Sequence, residues 1–142
     1  MSLFPKVFCI ISMTLMAILL SSNVHAQTQK SDSLSNMIFT KVDVEATFPG
    51  GLQAWQKYIT DAIMDNINKL RKSDYGTCNV RFIVDKTGHV SNVVALIMKK
   101  SRLAKIAIDA IENGPRWKPA QQNGKFVNAY RVQPVTVAPP EK

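Results

Sequence analysis

The sequence predicts an α+β fold, with two helices packed on one face of a small, mainly antiparallel sheet and a short strand ahead of the first helix. Three observations carry that expectation. Apolar residues recur at spacings of three and four over 52–70 and again over 103–111, which is the helical period. They alternate with polar residues over 77–85, the period of a half-buried strand. Asp85-Lys86-Thr87-Gly88 then reads as a hairpin turn, and a hairpin joins antiparallel strands.

The chain has 142 residues, enough for one domain. Its start has the pattern of a secretory signal. Lys6 is the only charge in the first 26 residues, an apolar run spans 7–20, and Val24-His25-Ala26 supplies a small-residue cleavage site. A membrane span needs about 20 apolar residues, so cleavage after Ala26 is the first reading. The rival is an uncleaved anchor holding the protein to the inner membrane through residues 7–20. Residues 27–40 read as a polar leader, 41–138 as the folded domain and 139–142 as a tail.

Cleavage would leave Cys78 as the sole cysteine, so the domain must rely on its apolar core rather than on a disulfide. Net charge is +8, and +7 without Lys6. In an exported protein this argues for anionic envelope surfaces or acidic partners rather than nucleic acid. Lysines spread over an ordinary soluble surface explain it as well.

In chain order, Val42 and Val44 alternate with Asp43 and Glu45 in a short strand candidate, which Phe48-Pro49-Gly50-Gly51 breaks. A helix over about 52–70 follows, with Leu52, Trp55, Ile59, Ile63, Ile67 and Leu70 as its apolar stripe. In the strand Thr77–Asp85, the residues Cys78, Val80, Phe82 and Val84 should face the core. Gly88 can take the positive φ that closes the hairpin. The return strand, Val90 to Met98, loses its alternation midway, which predicts a bulge or burial on both faces. Ser101 caps a second helix ending near Glu112, with Asn113-Gly114 as a left-handed stop. Trp117 should pack over that helix end. Asn123-Gly124 turns the chain into a last strand, Lys125 to Val137.

No catalytic constellation is present: the sequence has no Cys-x-x-Cys, no His pair at helical spacing, no Gly-x-Ser-x-Gly and no phosphate-binding loop. An enzyme is therefore not expected, nor a metal or other cofactor. Pro49, Gly50, Gly51, Gly88, Trp117, Pro119, Asn123 and Gly124 read as structural residues. The candidate site is the last strand. Pro134 cannot donate a ladder hydrogen bond, and proline is confined mainly to edge strands and bulges. Two readings stay open on residue chemistry. In one, the edge Asn128, Ala129, Tyr130, Arg131, Val132, Gln133 and Val135 takes up an extended peptide by strand addition. In the other, Pro134, Arg131 and Lys125 blunt the edge against pairing. An open edge would also allow a homodimer.

An ordered set of motifs adds to this reading. Phe48-Pro49-Gly50-Gly51 ahead of an amphipathic helix is the first. Val80-Arg81-Phe82-Ile83-Val84-Asp85-Lys86-Thr87-Gly88-His89-Val90-Ser91 is the second. Gly114-Pro115-Arg116-Trp117-Lys118-Pro119-Ala120 is the third, followed by Gln122-Asn123-Gly124-Lys125 and Gln133-Pro134-Val135. Together they resemble the C-terminal domain of TonB-type energy transducers, in a short form without the proline-rich spacer. The resemblance implies two helices on a three-stranded sheet and a place in the periplasm or cell envelope. It also implies binding of a segment of an outer-membrane receptor as an added strand along Asn128 to Val135, in energy-coupled transport. Between Ala26 and Pro49 there is no proline, and a linker from Ala26 to Val42 reaches only about 55 Å fully stretched. That short reach keeps a second function in view, a secreted stand-alone binding module with a different envelope partner.

Overall fold

The computed structural model describes residues 36–140. The signal or anchor expected in 1–26 and most of the leader lie outside the described residues. The elements in order are β1 (Ile38–Phe39), α1 (Gly51–Met64), β2 (Gly76–Val84), β3 (Val90–Ala95), α2 (Arg102–Glu112), β4 (Ala120–Gln122) and β5 (Lys125–Val137). Two single 3₁₀ turns, Ile67–Lys69 and Lys72–Asp74, link α1 to β2.

The α+β class is as expected, but the sheet has five strands rather than three. Its centre is the antiparallel set β5-β2-β3, with β1 added parallel to β5 and β4 pairing the start of β5. The period-2 pattern of β2 decides its orientation: Cys78, Val80, Phe82 and Val84 are fully buried, while the residues between them are half-buried on the other face. Fully burying a large apolar side chain is worth about 1.5–3 kcal/mol, so this one strand anchors the core. The fading alternation after Val90 is a bulge. The register of β2 with β3 shifts between Arg81 and Ile83, and Asn92 takes a positive φ of 52°. The strand ends at Ala95, short of the expected Met98.

α2 forms as expected. The Ser101 side chain accepts a hydrogen bond from the Ala104 N–H at 3.0 Å, and Leu103, Ala104, Ala107 and Ile111 are buried. The N-terminus of this helix is also tied to the preceding loop. The N–H groups of Arg102 and Arg71 donate to the two carboxylate oxygens of Asp74, both at 2.9 Å, and Arg102 Nη1 donates to the Lys69 carbonyl. These backbone donors hold the Asp74 carboxyl below the usual carboxylate range, Arg102 being the stronger influence.

Four local expectations are corrected. α1 stops at Met64 instead of Leu70, and Ile67 and Leu70 reach the core from the 3₁₀ turn and loop beyond it. Leu52, placed by periodicity on the apolar stripe, is 69 % exposed, because it sits in the first turn before the helix meets the core. Gly114 is not a left-handed stop. An added Cβ there would lie 2.8 Å from the Ala110 carbonyl oxygen and 3.1 Å from Tyr58 Oη, two atoms that hydrogen-bond each other at 2.8 Å, so the glycine makes room for that bond. The strand expected around Val42 and Val44 is replaced by isolated bridges, Val44 to Gln121 and Thr47 to Lys118, while Ile38–Phe39 of the supposed leader form β1. The reason is local: Phe39 finds apolar partners at the core and Val44 is 51 % exposed.

Candidate functional site

Trp117 reaches further than a helix end. Its ring centroid lies 4.9 Å from Phe82, 5.6 Å from Phe48 and 5.6 Å from Trp55, so it joins the strand, the pre-helix turn and α1. Gly88 faces its backbone. The Trp117 N–H donates to the Gly88 carbonyl at 2.9 Å, and a Cβ on Gly88, whose φ is +83°, would sit 2.1 Å from the Trp117 carbonyl oxygen. The hairpin turn is capped from within, Asp85 Oδ1 accepting from the N–H groups of Thr87 and His89. Burial works to raise the Asp85 carboxyl, but the hydrogen bonds from Thr87 and His89 outweigh it and leave the group below its ordinary value. Gly50, Gly51, Asn123 and Gly124 all take positive φ, as the turns at those positions require, and Pro49 and Pro119 are half-buried beside Phe48 and Ala120.

This scaffold presents β5. One flank of β5 is closed by β2, with nine registered pairs from Gly76↔Val137 to Val84↔Ala129. The other flank carries β1 at only two positions, Ile38↔Asn128 and Phe39↔Ala129. From Tyr130 to Val137 no further strand lies beyond β5 among the described residues. The parity of this open flank follows from Pro134. Its partner across the ladder is Asn79, whose carbonyl accepts from Leu96 N–H on the opposite side, towards β3. Pro134 is therefore at a position that exchanges no bonds with β2. By alternation Tyr130, Val132 and Thr136 also turn their backbone groups outward. The missing N–H of Pro134 costs the β2–β5 ladder nothing.

The seven edge residues named from the sequence divide by face. Ala129, Gln133 and Val135 are buried on the helix side. Arg131, also on that side, pairs with Glu45 at 3.1 Å. Tyr130 and Val132 lie on the outer face, with the Arg81 guanidinium 5.2 Å from the Tyr130 ring centroid. Asn128 and Ala129 are not open, since β1 pairs with them, and the Asn128 side-chain oxygen also accepts from Lys86 N–H at 3.0 Å.

Sequence reasoning missed the apolar residues that flank this edge. Near one end Leu52 and Trp55 share a shallow groove with Arg131 and Gln133. At the other end Ile63, Met64, Ile67 and Tyr75 line a larger groove with Val137, about 540 Å³ in volume, and Met64 is 60 % exposed. The signal was Met64 itself, off the stripe of α1 and at its last turn. Cys78 shows the opposite case: burial pushes its thiol up, and its Sγ lies 3.4 Å from the Ile97 carbonyl, so it behaves as a small apolar core residue. Among the described residues no group of three or more His, Cys, Asp or Glu side chains converges as a metal site would need. No described helix is long and apolar enough to cross a membrane.

Residues 69–136 match the family model described as Gram-negative bacterial TonB protein C-terminal. That span begins after α1 and takes in β2, β3, α2, β4 and nearly all of β5. The family is a non-enzymatic, transport-associated domain family of cell-envelope proteins. No curated protein and no solved structure matches the chain.

Proposed function

We propose, from the match of residues 69–136 to the TonB C-terminal family model, that the protein is a TonB-like envelope adaptor. It binds an extended segment of an outer-membrane receptor by strand addition along β5 and takes part in energy-coupled transport. The observation that carries the reading is the open flank of β5 from Tyr130 to Val137, a row of backbone groups set in line by the β2 ladder behind it. Leu52 and Met64, exposed near the two ends of this flank, are apolar surface that an added strand's side chains would cover. The domain does no covalent chemistry in this scheme. It works in the periplasm, held to the inner membrane if residues 7–20 are retained.

The test is a titration of the isotope-labelled protein with peptides copied from the periplasmic N-terminal segments of outer-membrane receptors. Binding should shift the amide signals of Tyr130, Val132 and Thr136 and the methyl signals of Leu52 and Met64. Saturable binding elsewhere on the surface would refute the site.

A second reading is favoured by one sequence feature, the absence of proline between Ala26 and Pro49. Without a stiff spacer the same edge would serve a secreted module that holds a different envelope protein and transmits no force. Mass spectrometry of the exported protein separates the two: a soluble chain starting at Gln27 supports the second, and a retained Met1–Ala26 segment supports the first.

A further inference from the structure

The two occupied positions of the docking edge are held by the chain itself. β1 runs parallel to β5 and closes Asn128 and Ala129. Its strand is only two residues long. Phe39 packs against the core, while Met37 and Ile38 are 50 % and 38 % exposed. After Phe39 the chain leaves the edge rather than following it. It goes instead to Asp43, which is clamped onto the β4–β5 turn: the Asp43 N–H donates to the Gln122 side-chain oxygen at 3.2 Å, and Asp43 Oδ2 accepts from the Asn123 N–H at 2.7 Å. The bridges at Val44 and Thr47 continue that attachment. β1 therefore lies beyond a fixed point, and it can leave the edge without disturbing the contacts from Asp43 onward.

We infer that β1 is a built-in occupant of the docking edge, displaced by a partner segment that runs in the same direction along β5 and sets an apolar side chain in the place of Phe39. The inference rests on the receptor-docking reading above and adds the partner's orientation, its anchor residue and a control on access. A segment that pairs from Asn128 through Thr136 makes more ladder bonds than β1, which stops at Ala129, so a longer strand wins the exchange. While β1 is seated, the binding-competent fraction is reduced, and apparent affinity falls by that fraction.

The experiment uses the full chain and the Phe39→Pro variant, titrated with the same receptor-segment peptides. By ladder parity the Phe39 N–H faces β5, so proline removes the bond that seats β1. Unchanged amide protection at Val80 and Phe82 shows that the variant keeps its core. The expected result is binding about tenfold tighter in the variant, together with loss of Phe39 amide protection when the wild-type chain is saturated with peptide. A Phe39→Leu chain, which keeps an apolar side chain and the N–H, should behave as wild type. Two results overturn the inference while leaving the docking site standing: peptide binding with β1 still protected at saturation, or equal affinities in the wild-type and proline chains. If no peptide binds either chain, the docking reading fails and the competition fails with it.

Discussion

The two flanks of β5 are built from one strand and meet opposite conditions. Towards β2 there are nine registered pairs, and the side chains on the helix side of the same strand, Ala129, Gln133, Val135 and Val137, are buried. Away from β2 there are two pairs with β1, and then an open run that includes a proline. The difference teaches that burial and pairing are separate properties of a strand. β5 is firmly held by its inner face and one flank, and this leaves the second flank available without cost to the fold.

The largest effects should come from the side that holds the strand. Trp117→Ala removes the ring that joins Phe48, Trp55 and Phe82, and should destabilise the domain by about 3–5 kcal/mol in urea denaturation. Gly88→Ala places a methyl group against the Trp117 carbonyl in a left-handed backbone, and a loss of about 2–4 kcal/mol is expected from the same measurement. Adjacent prolines then test the two flanks directly. Arg131→Pro removes a donor facing β2 and should cost about 3 kcal/mol, with Arg131→Ala as the control for the lost pairing to Glu45. Val132→Pro removes a donor facing outward, so stability should fall by only about 1 kcal/mol while peptide affinity drops at least about tenfold. Equal stability losses from the two prolines would break the comparison.

The smallest effect is one of pH, at the loop tied to the start of α2. The Asp74 carboxyl is held below its ordinary value by the N–H groups of Arg102 and Arg71. A depressed carboxylate contributes stability that is fully present above its unfolded value, near 4, and is lost as pH falls through the folded value. Asp74→Asn should therefore be less stable than wild type at pH 7, and the gap should narrow below about pH 4 in thermal unfolding. Peptide affinity should not change between the two chains at neutral pH.

Much of this was legible in the chain. The alternation from Cys78 to Val84 marked its buried face, Ser101 capped α2 as expected, and Asn123-Gly124 made its turn with both residues at positive φ. Pro134 pointed to a flank of β5 that no strand pairs beyond Ala129 among the described residues, although β1 covers that flank at Asn128 and Ala129. The termination of α1 at Met64, the exposure of Leu52 and the role of Gly114 were not legible, because each depends on what a neighbouring element leaves room for.

What the sequence by itself determined is the two helices, the strands β2, β3 and β5, the turns at Asp85–Gly88 and Asn123-Gly124 and the face that β2 buries, since periodicity and turn chemistry act within a few residues. Only the tertiary structure decided which flank of β5 stays open and what sits on it. The pairing of Ile38 with Asn128 joins residues on opposite sides of the domain's sequence, and no local pattern encodes a two-residue parallel contact. It forms because the flank of β5 away from β2 has no other strand on it and the clamp at Asp43 brings Phe39 within reach of the core.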